Sequence, residues 1–213
     1  MKNKRNVFRC LIILLAGVIY FPVQAQQKHD ATAVIYQLDV KKSKLLWKAP
    51  NNRHNGFILF NSGSLSNFVA GNPTQGTFSI DMNSMRSTDA ATAAGRKKVD
   101  DELRSEGFFA VSKYPAATIV VSQILPGQDP VIFTVVGKLT IKGLTDAVQF
   151  TTTMKQIGGT ITATANLTID RKKWNIDHQP DPSWNPFVSL KDHLVDDEIP
   201  VSLELVFTKL IVK

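Results

Sequence analysis

The chain has 213 residues, 43% of them hydrophobic and 20% charged, with a net charge of +7 and a single cysteine. That length and apolar share suffice for one sizeable buried core, and one cysteine excludes an intramolecular disulfide framework. The positive charge is concentrated at the start: residues 1–25 hold four basic groups and no acidic one, and without them 21 basic residues face 18 acidic, a charge of +3 that gives no ground for nucleic-acid binding.

The first segment reads as an export signal. Lys2, Lys4, Arg5 and Arg9 precede an apolar run from Leu11 to Phe21, whose 11 residues are too few to span a bilayer. Val23-Gln24-Ala25 has the small-residue pattern of a cleavage site, so the cut is expected before Gln26. Residues 26–213 would then form one domain in the periplasm or outside the cell. Cys10 lies ahead of the apolar run, in the wrong place for lipid attachment, and would leave with the signal. The mature chain would have to be stabilised by its core alone, in a compartment where disulfides are otherwise available.

Beyond a polar start at residues 26–32, a two-residue rhythm dominates. From Thr160 to Asp170 every odd position is apolar and every even one polar, the pattern of a strand with one dry and one wet face. The same rhythm marks Thr77–Met82 and Val201–Phe207. Enrichment in β-branched and aromatic residues adds Ala33–Asp39, Lys44–Ala49, His54–Asn61, Ser64–Ala70, Ala116–Ile124, Val131–Ile141 and Ala147–Lys155, about ten strands in all. Turn residues fall between them at Asn51-Asn52, at residues 70–73 and 126–130, at Lys142-Gly143 and at Gly158-Gly159.

One helix is expected, over Ala94–Gly107. Val99 and Leu103 share a face, Gly107 suits the position past a helix end, and Pro115 pushes Tyr114 toward extended backbone. Phe108 and Phe109 between them need burial. They either plug one end of a β-structure or close a ligand cavity.

Many short strands and one helix predict a mainly all-β fold, an antiparallel barrel or a sandwich. The barrel is favoured because closure removes exposed edges. Its core should hold the odd residues of 161–169 with Phe78, Ile80, Met82, Phe133, Val135, Leu139, Val148, Phe150, Val201, Leu203, Leu205 and Phe207. Ala163 and Ala165 are two small residues in succession on the dry face. Either they leave room for an apolar tunnel or a large neighbour fills the space. Residues 171–199 interrupt the rhythm with a Pro-rich loop bearing Trp174 and Trp184, readable as a lid or rim or as a loop pinned by its own aromatics.

No nucleophile elbow, phosphate loop, dinucleotide fingerprint or HExxH motif is present. His178 and His193 lie among Asp177, Asp181, Asp192, Asp196 and Asp197, but their spacing fits no defined ligand set and a solvated acidic surface is the plainer reading. No metal, cofactor or catalytic residue is therefore assigned. Arg96, Lys97, Lys98, Arg104 and the run Arg171-Lys172-Lys173 are either a solvated face or a mouth that attracts an anionic head group.

Several ordered motifs resemble the YceI-like family of exported bacterial proteins. The central one is Leu103-Arg104-Ser105, then Phe108-Phe109, then Lys113-Tyr114-Pro115. Around it stand Tyr36–Asp39, Ser43–Trp47, His54-Asn55-Gly56, Gly63-Ser64-Leu65, Phe78–Met85, Gly137–Thr145, Thr168–Trp174 and Asp196–Ile199. The resemblance implies a lipocalin-like antiparallel β-barrel with one short helix and an apolar lumen, binding a polyisoprenoid or similar amphiphilic lipid in the periplasm, without catalysis. The family usually carries histidine where this chain has Glu102, and often where it has Lys142, so no role of those histidines carries over. On this reading Phe57, Phe78, Ile80, Phe108, Phe109, Ile119, Phe133, Phe150, Ala163, Ala165 and Leu205 line or plug the lumen, while Arg104, Arg171 and Trp174 stand at its mouth. The lipid is the expected partner, with neither nucleic acid nor a transmembrane segment after signal removal, and a homodimer is compatible with the sequence. An enzyme acting on a lipid or small molecule in the same cavity, and a structural or partner-binding domain, stay open as alternatives.

Overall fold

The computed structural model describes residues 34–49, 54–176 and 197–210. The expected signal segment, His178, His193, Trp184 and most of the 171–199 loop lie outside the described residues. Nine strands appear in chain order: β1 Ile35–Leu38, β2 Lys44–Lys48, β3 Asn55–Val69, β4 Asn72–Ser87, β5 Ala116–Pro126, β6 Ile132–Ile141, β7 Leu144–Ile157, β8 Thr160–Asp170 and β9 Glu198–Leu210. Among the described residues one α-helix, α1 Ala93–Arg104, lies between β4 and β5, and a short 3-10 helix, Arg171–Trp174, follows β8.

The strands close into an antiparallel barrel of eight positions. From β3 to β9 each strand pairs with the next in sequence, and β1 and β2 together fill the remaining position between β9 and β3. These two run in line as one strand with a break at residues 39–43. Val206 of β9 faces that break. Its N–H donates to Ser43 Oγ at 3.0 Å, the Ser43 hydroxyl donates back to its carbonyl at 3.5 Å, and Asp39 N–H bonds the same carbonyl at 2.8 Å. A buried serine thus replaces the missing ladder, as the cost of unpaired buried backbone requires.

The expected strands His54–Asn61 and Ser64–Ala70 are one strand, β3, paired along its length with β4. Irregularities between Phe57 and Leu59 and between Phe60 and Ser62 absorb the change of rhythm. The β6–β7 hairpin turns on Lys142 and Gly143, both at positive φ, where glycine relieves the second position. The helix ends earlier than expected. Arg104 is its last residue, Ser105 caps it in extended conformation, and the one positive φ of the following turn belongs to Ala110, not Gly107. Thr92 caps the N-terminus by accepting from Gly95 N–H at 3.0 Å.

The barrel has two ends. The turns at 70–71 and 158–159 mark the lower one, and α1, the β6–β7 turn and the 3-10 helix mark the upper. In the lower half Phe60, Phe78 and Phe207 meet edge-on, with ring centroids 6.4 and 5.9 Å apart, and Tyr36 lies 5.2 Å from Phe68. The expected core residues all belong to one apolar cluster with these rings.

Candidate functional site

The upper half is hollow. A cavity of about 350 Å³ lies inside it, walled by inward residues of every strand position: Leu45 and Trp47, Ile58, Ile80 with Met82 and Met85, Ala117 and Ile119, Leu139 and Ile141, Val148 and Phe150, Leu167 and Ile169, and Ile199, Val201 and Leu203. Val99 and Leu103 of α1 and Phe108 and Phe109 of the turn after it form the cover. Lys48, His54, Glu102, Arg171 and Ile176 form the mouth. A separate void of about 50 Å³ sits lower, among Phe60, Phe78, Phe207, Met154, Ala163 and Leu205. The lower void shares Ile119, Phe150 and Leu203 with the chamber wall, and the rings of Phe60, Phe78 and Phe207 narrow the lumen there.

The cover is a hydrogen-bonded turn. Phe109 N–H donates to Leu103 O at 3.2 Å, Ala110 N–H to Ser105 O at 2.8 Å and Val111 N–H to Arg104 O at 3.0 Å. Met82 N–H donates to Pro115 O at 3.0 Å, which joins the end of this segment to β4. Arg104 secures the helix to the barrel by donating to the carbonyl of Met85, with Asp100 3.9 Å away. Asp100 accepts from Ser87 N–H at 2.6 Å, although it is buried on an otherwise polar helix. Tyr114, of the Lys-Tyr-Pro motif, packs against Gly143 at the β6–β7 turn.

The side chains expected at the lumen divide into groups. Ile80, Ile119 and Phe150 are on the chamber wall, Phe108 and Phe109 on its cover, and Arg171 at its mouth. Phe78, Ala163 and Leu205 surround the lower void. Phe133 and Ala165 are buried in the core but border neither space. Three expectations are corrected. Phe57 does not face the lumen, because strand alternation turns Gly56 and Ile58 inward and Phe57 out. Trp174 is not at the surface of the mouth: it is 1% exposed, and its indole N–H donates to Leu139 O at 3.1 Å. Arg104 holds the helix and does not line the chamber.

The sequence reading passed over Trp47, Met85, Leu103 and His54. The signal for His54 was the parity of the His-x-Gly motif, since His54, Gly56 and Ile58 share a face. Gly56 is required by close approach. A Cβ there would lie 1.9 Å from the carbonyl oxygen of Arg86 and 2.6 Å from Trp47 Cζ2, so the indole lies directly over the glycine.

The charged groups of the lining stand at the mouth, while on the wall the indole N–H of Trp47 is buried without a hydrogen-bond partner among the described residues. Arg171 donates to Ile176 O at 2.7 Å and pairs with Asp197 at 3.1 Å, and Lys172 reaches the same carboxylate. Lys142 donates to Asn175 O at 2.7 Å and so fastens the segment after β8 to the β6–β7 turn. His54 Nδ1 lies 2.9 Å from Asp89 Oδ2. Burial works against ionisation of Asp89, yet the Ser87 hydroxyl, backbone N–H groups of Asn55 and Asp89 itself, and His54 together hold its carboxyl below the usual range. Among the described residues no three His, Cys, Asp or Glu side chains group to hold a metal ion.

A closed barrel whose upper chamber is covered by a helix and an aromatic pair, with the motifs at those positions, decides the family. The YceI-like domain matches over residues 36–207. The chain belongs to the YceI-like family. Similar solved structures include BcnA of Burkholderia cenocepacia, at 27% identity and a TM-score of 0.60, covering 79% of this chain and 98% of that one. A polyisoprenoid binding domain from Saccharophagus degradans has 17% identity and a TM-score of 0.58, covering 82% and 98%. The YceI protein of Campylobacter jejuni has 17% identity and a TM-score of 0.52, covering 72% and 84%. No curated protein matches the chain.

Proposed function

We propose that this YceI-like barrel is an exported binding protein that holds the apolar chain of a polyisoprenoid or another amphiphilic lipid in its upper chamber, as a carrier or by sequestration in the periplasm. One observation carries this reading: an apolar chamber of about 350 Å³ is maintained inside a barrel whose other half is filled by rings. Leaving such a space dry and empty forgoes packing, and a lipid chain restores it at about 0.8 kcal/mol per buried methylene before ordering costs. The polyisoprenoid binding described for the Saccharophagus domain supports the ligand class. The reading is one of binding without catalysis: apolar side chains make up the wall and the charged groups of the lining stand at the mouth.

Native mass spectrometry of the protein purified from its own host tests it. An adduct that extracts as an amphiphilic lipid is the expected result. Recovery of only the free protein, together with no uptake of farnesol in a direct binding titration, would refute it. Amino-terminal sequencing of the same sample checks export, with Gln26 expected as the first residue.

A further inference from the structure

One polar arrangement at the chamber mouth has no use in an apolar lumen. His54 stands just before β3, on the inward parity of Gly56 and Ile58, and lines the mouth. Its partner Asp89 is held from several sides. The Ser87 hydroxyl donates to Oδ1 at 2.7 Å and the Asn55 backbone N–H reaches the same carboxylate. The frame behind it is tied as well, with Thr88 N–H on Asn55 O at 2.9 Å and Ser87 N–H on Asp100 Oδ1 at 2.6 Å.

An ionised carboxylate only accepts hydrogen bonds, so Nδ1 of His54 carries the proton that faces Asp89. In the neutral ring Nε2 is then a lone-pair acceptor, and it has no partner among the described residues. A half-exposed pair contributes little stability by itself. A carboxylate fixed by further donors instead sets the tautomer and direction of the ring, as it does behind metal-binding and catalytic histidines.

We propose that His54 is a head-group site: its Nε2 accepts a hydrogen bond from a hydroxyl or amide N–H on a neutral amphiphile whose chain occupies the chamber, with Asp89 as the positioning residue. This rests on the lipid-binding reading above. Among the described residues the other charged groups lining the mouth are Lys48, Glu102 and Arg171, and Arg171 is already committed to Asp197 and to the carbonyl of Ile176. Protonation of His54 places a proton on Nε2 and turns the acceptor into a donor.

The test compares farnesol with farnesyl methyl ether, which has the same chain and can accept a hydrogen bond but not donate one. Binding of each to the signal-free chain is measured by calorimetry on either side of the His54 titration, itself followed by NMR of the ring. With the ring neutral, farnesol is expected to bind about five-fold more tightly than the ether, the worth of one net hydrogen bond. With the ring protonated, that preference disappears. His54→Leu removes it at every pH. Asp89→Asn reduces it. In the unmodified protein, the His54 Nε2 resonance shifts with farnesol and not with the ether, a readout that survives if a variant fails to fold. Equal binding of both compounds at every pH, or a preference that persists in His54→Leu, overturns this inference and leaves the lipid reading standing. Binding of neither compound overturns the lipid reading itself.

Discussion

The hollow and the filled halves of the barrel can be told apart by making one substitution in each. Ala117 is 3% exposed and lies on the wall of the upper chamber, while Ala165 is 7% exposed and borders neither space. Replacing either by leucine adds three carbon atoms. At Ala117 they enter an apolar void. At about 0.8 kcal/mol per carbon, Ala117→Leu should stabilise the ligand-free protein by about 2 kcal/mol, a rise of roughly 4–8 °C in melting temperature. The same atoms occupy space that a lipid chain would use. Farnesol binding should weaken correspondingly, by roughly 30-fold. At Ala165 the three carbons meet packed neighbours, and Ala165→Leu should destabilise by about 1–3 kcal/mol. Urea unfolding of the lipid-free proteins, with calorimetric titration of farnesol, reads all three quantities. The opposite signs carry the test, since the two substitutions are chemically identical. If Ala117→Leu destabilises as much as Ala165→Leu, the upper half is not hollow and the binding argument loses its basis.

Three further outcomes follow from single contacts. Ser43→Ala leaves the N–H and carbonyl of Val206 without the hydroxyl that replaces the broken ladder, and should cost about 1–3 kcal/mol in chemical denaturation. Gly56→Ala places a Cβ 1.9 Å from the Arg86 carbonyl and against the Trp47 ring, so β3 must move. A loss of at least about 1–3 kcal/mol and a changed fluorescence of Trp47 are expected, and an unperturbed variant would show that the indole does not lie over the glycine. Asp89 titrates below its ordinary value of 3.8 in the folded protein, so its contribution is complete above that pH and is lost as the pH falls through the lower folded value. Asp89→Asn should therefore flatten the acid limb of the stability profile below about pH 4 and leave its slope at neutral pH unchanged.

Much of the barrel could be read from alternation alone. The odd residues of 161–169 point inward because one face of β8 is dry along its whole length, and nothing distant is needed to know it. Phe57 shows the limit of that reasoning. Its size invites burial, yet its neighbour Gly56 faces in, because a tryptophan from β2 and a carbonyl from β4 already occupy the space above the glycine. The helix end was misplaced for a related reason. Gly107 looked like the stop, but Ser105 caps the last turn and Ala110 takes the left-handed conformation under the turn's own hydrogen bonds. Which half would be hollow was not legible at all. It depends on whether rings from β3, β4 and β9 reach one another across the lumen, and Phe60, Phe78 and Phe207 do so only at one level of the barrel.

That level also shapes what the chamber can hold. Its floor is set by the packed rings below and its cover by Phe108 and Phe109, and the cover is anchored as firmly as the walls. The Arg104 guanidinium holds α1 to β4, Asp100 accepts from Ser87 at the end of β4, and Met82 N–H joins Pro115 to the same strand. All three ties lead to β4, so the helix, the aromatic pair and one wall form a single unit. A chain longer than the distance from floor to cover cannot be accommodated by lifting the cover without breaking those bonds together. Its excess length must instead pass out by the mouth between His54, Glu102 and Arg171. On the proposed lipid-binding reading the site would select for an apolar segment of bounded length joined to a polar group at one end, which a uniform hydrocarbon does not provide.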